Sequence, residues 1–259
     1  MRKEGYWVIR TYRSGQVGEK IKYWVPGAKP SSSERRIRSE IKKQQSNEAS
    51  AEKHAARIIN ENFTRHDALI TLSYSDKGLG KICEGIDASD ENQIFHAAHH
   101  QLRLWLRRVR RACKDAEIEV KTLAVTADVD GKTGEAVRVH HHIVISEAAV
   151  EIAIGKWTLG GHHWEKLYDN VDQTALAAYL LRQVRRLPDE KKYIPSRNLS
   201  IPQPQDRIAK GGAEISVPKG GQLLHRSEFS PGQPQYIRYI LPDVGRIREE
   251  REARRRKRE

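Results

Sequence analysis

Three consecutive histidines, His140, His141 and His142, run into Ile143, Val144 and Ile145, an apolar β-branched stretch that reads as a strand. Side chains alternate across a strand, so His140 and His142 share one face, while His141 joins Val139, Ile143 and Ile145 on the other. Two imidazoles on one face converge on a spot the size of a metal ion; the competing reading is that they are solvated or hydrogen-bonded within a core. The run is short and internal, unlike an added tag. A second reactive group is Tyr179, in a stretch from 172 to 187 whose Leu176, Leu180, Val184 and Leu187 gather on one face of a helix. The phenol sits at the edge of that face beside Arg182 and Arg186, with the small Ala175 in front. A tyrosine closing the rim of a core is the commoner fate of such a residue.

The elements that must hold these groups flank them in sequence. In residues 119–129, Leu123, Val125 and Val129 alternate with Thr122, Ala124, Thr126 and Asp128, and residues 130–134 turn the chain back into the histidine strand, which predicts an antiparallel hairpin. If the apolar faces coincide, Thr126 and Asp128 lie on the side of His140 and His142. Residues 67–74 form a further strand. A helix starting at Ser89, with Asn92 three residues after that cap, carries Leu102, Leu106, Val109 and Cys113 as an apolar stripe and Arg103, Arg107, Arg110 and Lys114 as a basic one. The apolar stripe should dock on a sheet; the basic one is either a solvated face or part of a groove that tracks phosphates. His96 and His100 lie one helical turn apart, but no carboxylate or cysteine accompanies them at ligand spacing, so a solvated face is the expectation there.

Of the 259 residues, 37% are hydrophobic and 31% charged, with a net charge of +13, which points to a polyanionic partner. The length fits one domain with extensions. No long apolar run is present and the first residues lack a signal-peptide core, so a soluble cytoplasmic protein without a membrane partner is expected. Cys83 and Cys113 are the only cysteines, too few for a disulfide framework or a cysteine-based zinc site.

Residues 6–12 and 20–25 are β-prone runs on either side of a polar turn, a predicted hairpin. Residues 34–62 are mostly charged, with Ile37, Ile41, Ala55, Ile58 and Ile59 thinly spread, which predicts a helical and mostly exposed arm. Residues 75–88 hold Gly78, Gly80 and Gly85 and read as a loop. Residues 147–156 read as a short helix and 162–167 as a short strand. After Pro188 the chain reads as an extended excursion, with short strands near 213–217, 222–225 and 235–241. Residues 246–259 are a charged tail, by default a frayed or helical extension and in second place a nucleic-acid contact.

Several phrases, in order, resemble one family: Asn62-Phe63 with residues 68–74 (Ala-Leu-Ile-Thr-Leu-Ser-Tyr), the histidine strand, residues 177–182 (Ala-Ala-Tyr-Leu-Leu-Arg), and Ser196-Arg197-Asn198-Leu199. In this order the chain resembles HUH-superfamily rolling-circle replication initiators of phages and prophages, in the group related to filamentous-phage gene II proteins. The resemblance is close over residues 55–205 and loose at the ends. It implies an α+β fold with a central antiparallel sheet, helices packed on it, the histidine pair on a middle strand, and a nucleophilic tyrosine on a helix facing that pair. The expected organisation is an N-terminal hairpin and helical arm (1–62), an endonuclease core (63–205), an extension with short strands (206–245) and the tail (246–259).

The resemblance assigns Tyr179 as nucleophile with Arg182 beside it, and a divalent ion, Mg²⁺ or Mn²⁺, to His140, His142 and an acidic residue. Imidazole donors suit Mn²⁺ better, although abundance favours Mg²⁺. The implied partners are single-stranded DNA at a replication origin, contacted by Arg186, Arg103, Arg107 and Arg110, and a host helicase and polymerase. Three positions depart from the pattern. Val139 replaces a proline, Arg182 replaces a lysine and so changes geometry while keeping charge, and Ala127 stands where the acidic ligand is expected, leaving Asp128 as the candidate. A free phenol has a pKa of about 10, so only about a thousandth is ionised at neutral pH and a metal ion acting on the phosphate would help its attack. Ala175 and Gln183 occupy the places one turn from Tyr179, so a single-tyrosine enzyme forming a 5′-phosphotyrosine is expected. The rivals are a single-tyrosine transposase or relaxase of the same superfamily, and a non-catalytic basic DNA-binding protein.

Overall fold

The structure, a computed structural model, describes residues 5–26, 40–87, 89–185, 191–209, 214–228 and 233–242. In chain order the elements are β1 (Tyr6–Ser14), β2 (Val17–Val25), α1 (Glu40–Asn62), β3 (Ala68–Ser73), α2 (Asp76–Ile82), α3 (Glu91–Asp115), β4 (Thr122–Val129), β5 (Ala136–Ile145), a 3₁₀ turn (Glu147–Ala149) leading into α4 (Val150–Gly155), β6 (His162–Lys166), α5 (Thr174–Arg182), β7 (Ile194–Pro195), β8 (Gln205–Ala209), β9 (Gln222–Arg226) and β10 (Gln235–Ile240). The architecture is mixed α/β, with two antiparallel five-stranded sheets. Among the described residues no helix is long and apolar enough to cross a membrane.

Residues Ala49–Ser200 form one compact unit. Its sheet runs β6-β3-β5-β4-β7, with the histidine strand β5 in the middle. Burial in β4 is continuous from Thr122 to Asp128 instead of alternating, because helices cover both faces. On one face lie Ala68, Ile70, Leu72, Ala124, Ile143 and Ile145, against Ala98, Leu102, Trp105, Leu106, Val109 and Cys113 of α3 and against α4. The Trp105 indole is fully buried and donates to the Ala153 carbonyl of α4 at 3.2 Å. On the other face Leu69, Leu123, Val125 and Val144 meet Ala55, Ile58 and Ile59 of α1 and Ala177, Leu180 and Leu181 of α5.

Residues Met1–Glu48 and Ile201–Glu259 make up the second unit, so the N-terminal hairpin and the C-terminal extension, expected as separate regions, belong together. Its sheet runs β8-β1-β2-β10-β9. One face carries Ile9, Ile237 and Tyr239 beneath Ile215 and Val217. The expected strand at 213–217 is instead this covering segment, and β8, which pairs with β1, was not expected. The tail 246–259 lies outside the described residues.

Other local differences have clear causes. Residues 49–62 of the expected exposed arm belong to the first unit, because Ala55, Ala56, Ile58 and Ile59, few as they are, fall on one helical face and are buried. The predicted loop at 75–88 contains α2, capped by Ser75, whose hydroxyl accepts from Gly78 N at 3.0 Å. Gly78 masks the helix in sequence yet is required: a Cβ there would lie 1.8 Å from the Leu159 carbonyl oxygen. The cap of α3 is Asp90, which accepts from Gln93 N at 3.0 Å, while the Ser89 hydroxyl donates to Asp87.

Candidate functional site

Strand pairing fixes which histidines meet. His141 lies opposite Leu72 and Thr126, His142 opposite Thr71 and Val125, and His140 opposite Ser73 and Ala127. His141 therefore enters the α3 face. It is fully buried, its Nε2 is 2.8 Å from the Tyr74 hydroxyl, and its ring is boxed edge-on by Tyr74 and Trp157. Burial pushes its pKa well below the ordinary histidine value, with His140, His99 and His142 adding in the same direction.

His140 and His142 emerge on the opposite face with their Nε2 atoms 3.1 Å apart. His140 Nδ1 is 2.9 Å from the Arg138 carbonyl, which can only accept, so Nδ1 carries the proton and Nε2 offers a lone pair. His142 Nδ1 is held by the Thr71 hydroxyl at 3.0 Å. Burial, then the charge of His140, pushes the His142 pKa down to about 4, so at neutral pH it is an uncharged imidazole. Two facing ring nitrogens at this separation take either one shared proton or one cation. Nitrogen ligands at about 2.1 Å from a metal and roughly at right angles would be about 3 Å apart, so the pair fits two positions of one ion.

Tyr179 stands over this pair. Its ring centroid is 5.6 Å from that of His142 at 56°, and 51% of the residue is exposed. The helix can present it there because Ala177, Leu180 and Leu181 sink into the core and turn position 179 outward at the sheet margin. Gln183, one turn on, donates from Nε2 to the Tyr179 carbonyl at 3.1 Å and hydrogen-bonds His142, joining α5 to the histidine strand. Its backbone carbonyl accepts from Asp128 N and Val129 N at 3.0 and 3.2 Å, which ties in β4 as well. In the sequence Gln183 stands out only as the absence of a second tyrosine; its i, i+4 spacing from Tyr179 is the signal for this contact.

Asp128 does not join the histidines. The β4–β5 register shifts between Ala127 and Val129, and the buried Asp128 carboxylate pairs with Arg185 Nε while also accepting from Arg185 N at 3.2 Å. Arg185 in turn reaches Asn92 at 2.8 Å and Glu91 at 3.0 Å, so this cluster locks the start of α3 to the chain after α5. Burial raises the Asp128 pKa, with Arg185 opposing it. The expected shared side of Asp128 with His140 and His142 fails because both sheet faces are apolar and because of the bulge. Among the described residues no group of three or more His, Cys, Asp or Glu gathers to hold a metal.

Arg182 is exposed at the end of α5, its Nε 3.6 Å from a Glu52 carboxylate oxygen of α1. Arg186 lies outside the described residues. Arg103, Arg107 and Arg110 are exposed along α3, which covers the His141 face, so they are not brought together with Tyr179. His96 and His100 are also exposed, bordering a cleft with Arg103, Lys191 and Tyr193. The Ser196-Arg197-Asn198-Leu199 phrase proves architectural. Ser196 exchanges hydrogen bonds with the Thr122 backbone at 2.8 and 3.0 Å, Asn198 donates to Glu119 and to the Val120 carbonyl, and Leu199 is buried. Asn62 likewise clamps the Ser200 backbone through two bonds of 2.8 Å.

The competing tyrosines are poorly suited. Tyr193 sits 2.5 Å from His54 Nδ1, and burial pushes its pKa up to about 12. Tyr168 is exposed ahead of α5. Comparison with family models, curated proteins and solved structures finds no match for this chain.

Proposed function

We propose that the protein is a single-stranded DNA nicking and joining endonuclease that initiates rolling-circle replication, with Tyr179 as its nucleophile. The observation that carries this reading is the approach of the Tyr179 ring to His142, whose Nε2 faces that of His140. Tyr179 Oη attacks a backbone phosphorus, a phosphotyrosyl O–P bond forms, and the P–O3′ bond breaks. The phenol proton passes to solvent and the departing oxygen gains a proton to become a 3′-hydroxyl. The number of phosphoester bonds is unchanged, so reversal rejoins the strand. His140 and His142 would hold a divalent ion, Mg²⁺ or Mn²⁺, which when bound supplies charge neutralisation at the scissile phosphate. Two imidazoles leave the rest of its shell to water and phosphate oxygens. Arg182, one helical turn after Tyr179, would add positive charge toward the same phosphate in competition with its ion pair to Glu52.

Initiation of replication, as opposed to transposition or strand transfer by a relaxase, rests on the order of the sequence phrases. One observation favours a non-catalytic DNA-binding protein: with Asp128 engaged by Arg185, no third His, Cys, Asp or Glu among the described residues joins the histidine pair. Incubation of the full chain with single-stranded DNA and Mn²⁺, followed by denaturing electrophoresis and peptide mapping, separates these readings. The expected result is a covalent adduct on Tyr179. An adduct on another tyrosine refutes the assignment, and DNA binding without any adduct selects the non-catalytic reading. Mapping the cut within the replicon tests the role in initiation.

A further inference from the structure

We propose that the outer surface of α3 is a second nucleic-acid site, which holds the phosphate backbone of duplex DNA. Arg103, Arg107, Arg110, Arg111 and Lys114 fall within about 100° of helical arc, and all are exposed. Arg108 is exposed on one flank, and no acidic residue occurs from Asn92 to Lys114. Cations of three other segments widen the surface. A cleft on one flank of α3 joins Arg108 to Lys81 of α2 and to Lys156 after α4, and a cleft on the other joins Arg103 to Lys191 before β7. Neither cleft has an Asp or Glu in its lining. All of these residues belong to the unit Ala49–Ser200.

A basic face on a solvated helix is commonly balanced by acidic side chains of the same chain. Arg65, Arg138, Lys166 and Arg185 of this unit are engaged in that way by Asp169, Asp76, Glu147 and Asp128. The six cations of α3 make no hydrogen bond or ion pair among the described residues. Arg103 and Arg107, Arg107 and Arg111, and Arg110 and Lys114 also stand four residues apart, a spacing at which like charges repel and weaken a helix. An anionic occupant relieves that repulsion. Phe95 and Trp105 are buried, and the exposed residues of α3 from Asn92 to Lys114 are all polar. No large ring is therefore offered to unstacked bases, and no apolar centre to a protein or a membrane. What remains is contact between cations and phosphates. Arg103 to Lys114 spans about 17 Å, and a duplex, with one charge per about 1.7 Å of its axis, brings twice the phosphate density of one strand to that length. Because α3 covers the sheet face opposite the histidine pair, the duplex docks away from Tyr179.

The choice of DNA over RNA rests on the proposed function, but the site does not involve Tyr179, so the full chain carrying Tyr179→Phe serves for binding. A short fluorescein-labelled duplex is followed by anisotropy over a range of salt concentrations. Arg107→Gln, Arg110→Gln and Arg111→Gln combined should weaken binding on the order of 100-fold and lower the slope of log affinity against log salt by about 2.7. The same variant should raise the melting temperature of the free chain, because like charges are removed. A single strand of equal length should lose less. Arg13→Gln, Arg207→Gln and Arg226→Gln combined remove the same charge from exposed residues of the second sheet and should leave the slope nearly unchanged. Equal losses in the two variants, or a slope that the α3 substitutions do not alter, overturn the site. An equal loss for single strand and duplex, or displacement by polyglutamate as effective as by unlabelled duplex, overturns duplex DNA as its occupant. If the α3 variant fails to fold, acetylation of the chain with α3 unaltered decides instead. Protection of Lys81, Lys114 and Lys156 by the duplex supports the proposal, and protection confined to other lysines overturns it. Failure of the nuclease reading is a separate result, the absence of any covalent adduct when Tyr179 is present.

Discussion

The two faces of the β3–β5–β4 sheet treat the same residue type in opposite ways. On the α3 face His141 is sealed among Tyr74, Trp157 and the helix, with its Nδ1 lacking a hydrogen-bond partner among the described residues. On the other face the cover of α1 and α5 stops at the half-exposed Tyr179, and His140 and His142 turn their nitrogens toward each other beneath it. Adjacent histidines thus become a packing residue and a facing pair through strand alternation alone, and the boundary of helical cover decides which face is left open.

The sharpest way to break this contrast is to remove the Tyr179 hydroxyl. Tyr179→Phe keeps the ring against His142, so stability should barely change, while strand cleavage falls on the order of 10⁴-fold or below detection. Full cleavage by this variant would mean that the open face is not the reactive one. His140→Ala and His142→Ala come next, each expected to lower Mn²⁺-dependent cleavage about 100-fold or more. In the unsubstituted chain excess Mn²⁺ should raise the melting temperature, and in either variant that rise should disappear.

On the sealed face the expected loss is in stability. His141→Ala leaves a cavity and strands the Tyr74 hydroxyl, for a cost of about 2–4 kcal/mol in urea unfolding, with cleavage per folded molecule preserved. A stable but inactive variant would exchange the roles of the two faces.

Acid should act through the buried histidines of both faces. His142 titrates at about 4 when folded and near the ordinary 6.5 when unfolded. Between those values the unfolded chain binds more protons, so stability is lost as pH falls from 6.5 toward 4, by up to about 3 kcal/mol for this group. Urea melts at pH 7 and pH 4.5 measure the loss, and no difference between them would contradict the neutral, buried state of His141 and His142. The smallest expected effect is at Asp128. Asp128→Ala removes the partner of Arg185 and should destabilise the chain by about 1–3 kcal/mol, with the Mn²⁺ requirement unchanged. A raised Mn²⁺ requirement would return Asp128 to the metal.

Much of this was legible in the residues. The hairpin of β4 and β5, the facing of His141 away from its neighbours, the amphipathic α5 and the docking stripe of α3 follow from periods of two and 3.6, which are local properties of the backbone. The helical arm was misread because its few apolar residues carry little compositional weight, although Ala55, Ile58 and Ile59 occupy one face and that is sufficient for burial. The membership of β8, β9 and β10 in a sheet with β1 and β2 was not legible, since it joins segments far apart in sequence through backbone hydrogen bonds that no side-chain pattern announces.

The sequence by itself determined the reactive residue types, their alternation along β5, and the outward position of Tyr179 on its helix. Only the tertiary structure decided which groups meet. It set the ring of Tyr179 against His142, withdrew Asp128 into a pair with Arg185 at a strand bulge, and carried the α3 arginines to the face that lacks the histidine pair. The reason is physical: a strand's period fixes the side on which a residue emerges, but what waits there depends on which helices close over that side.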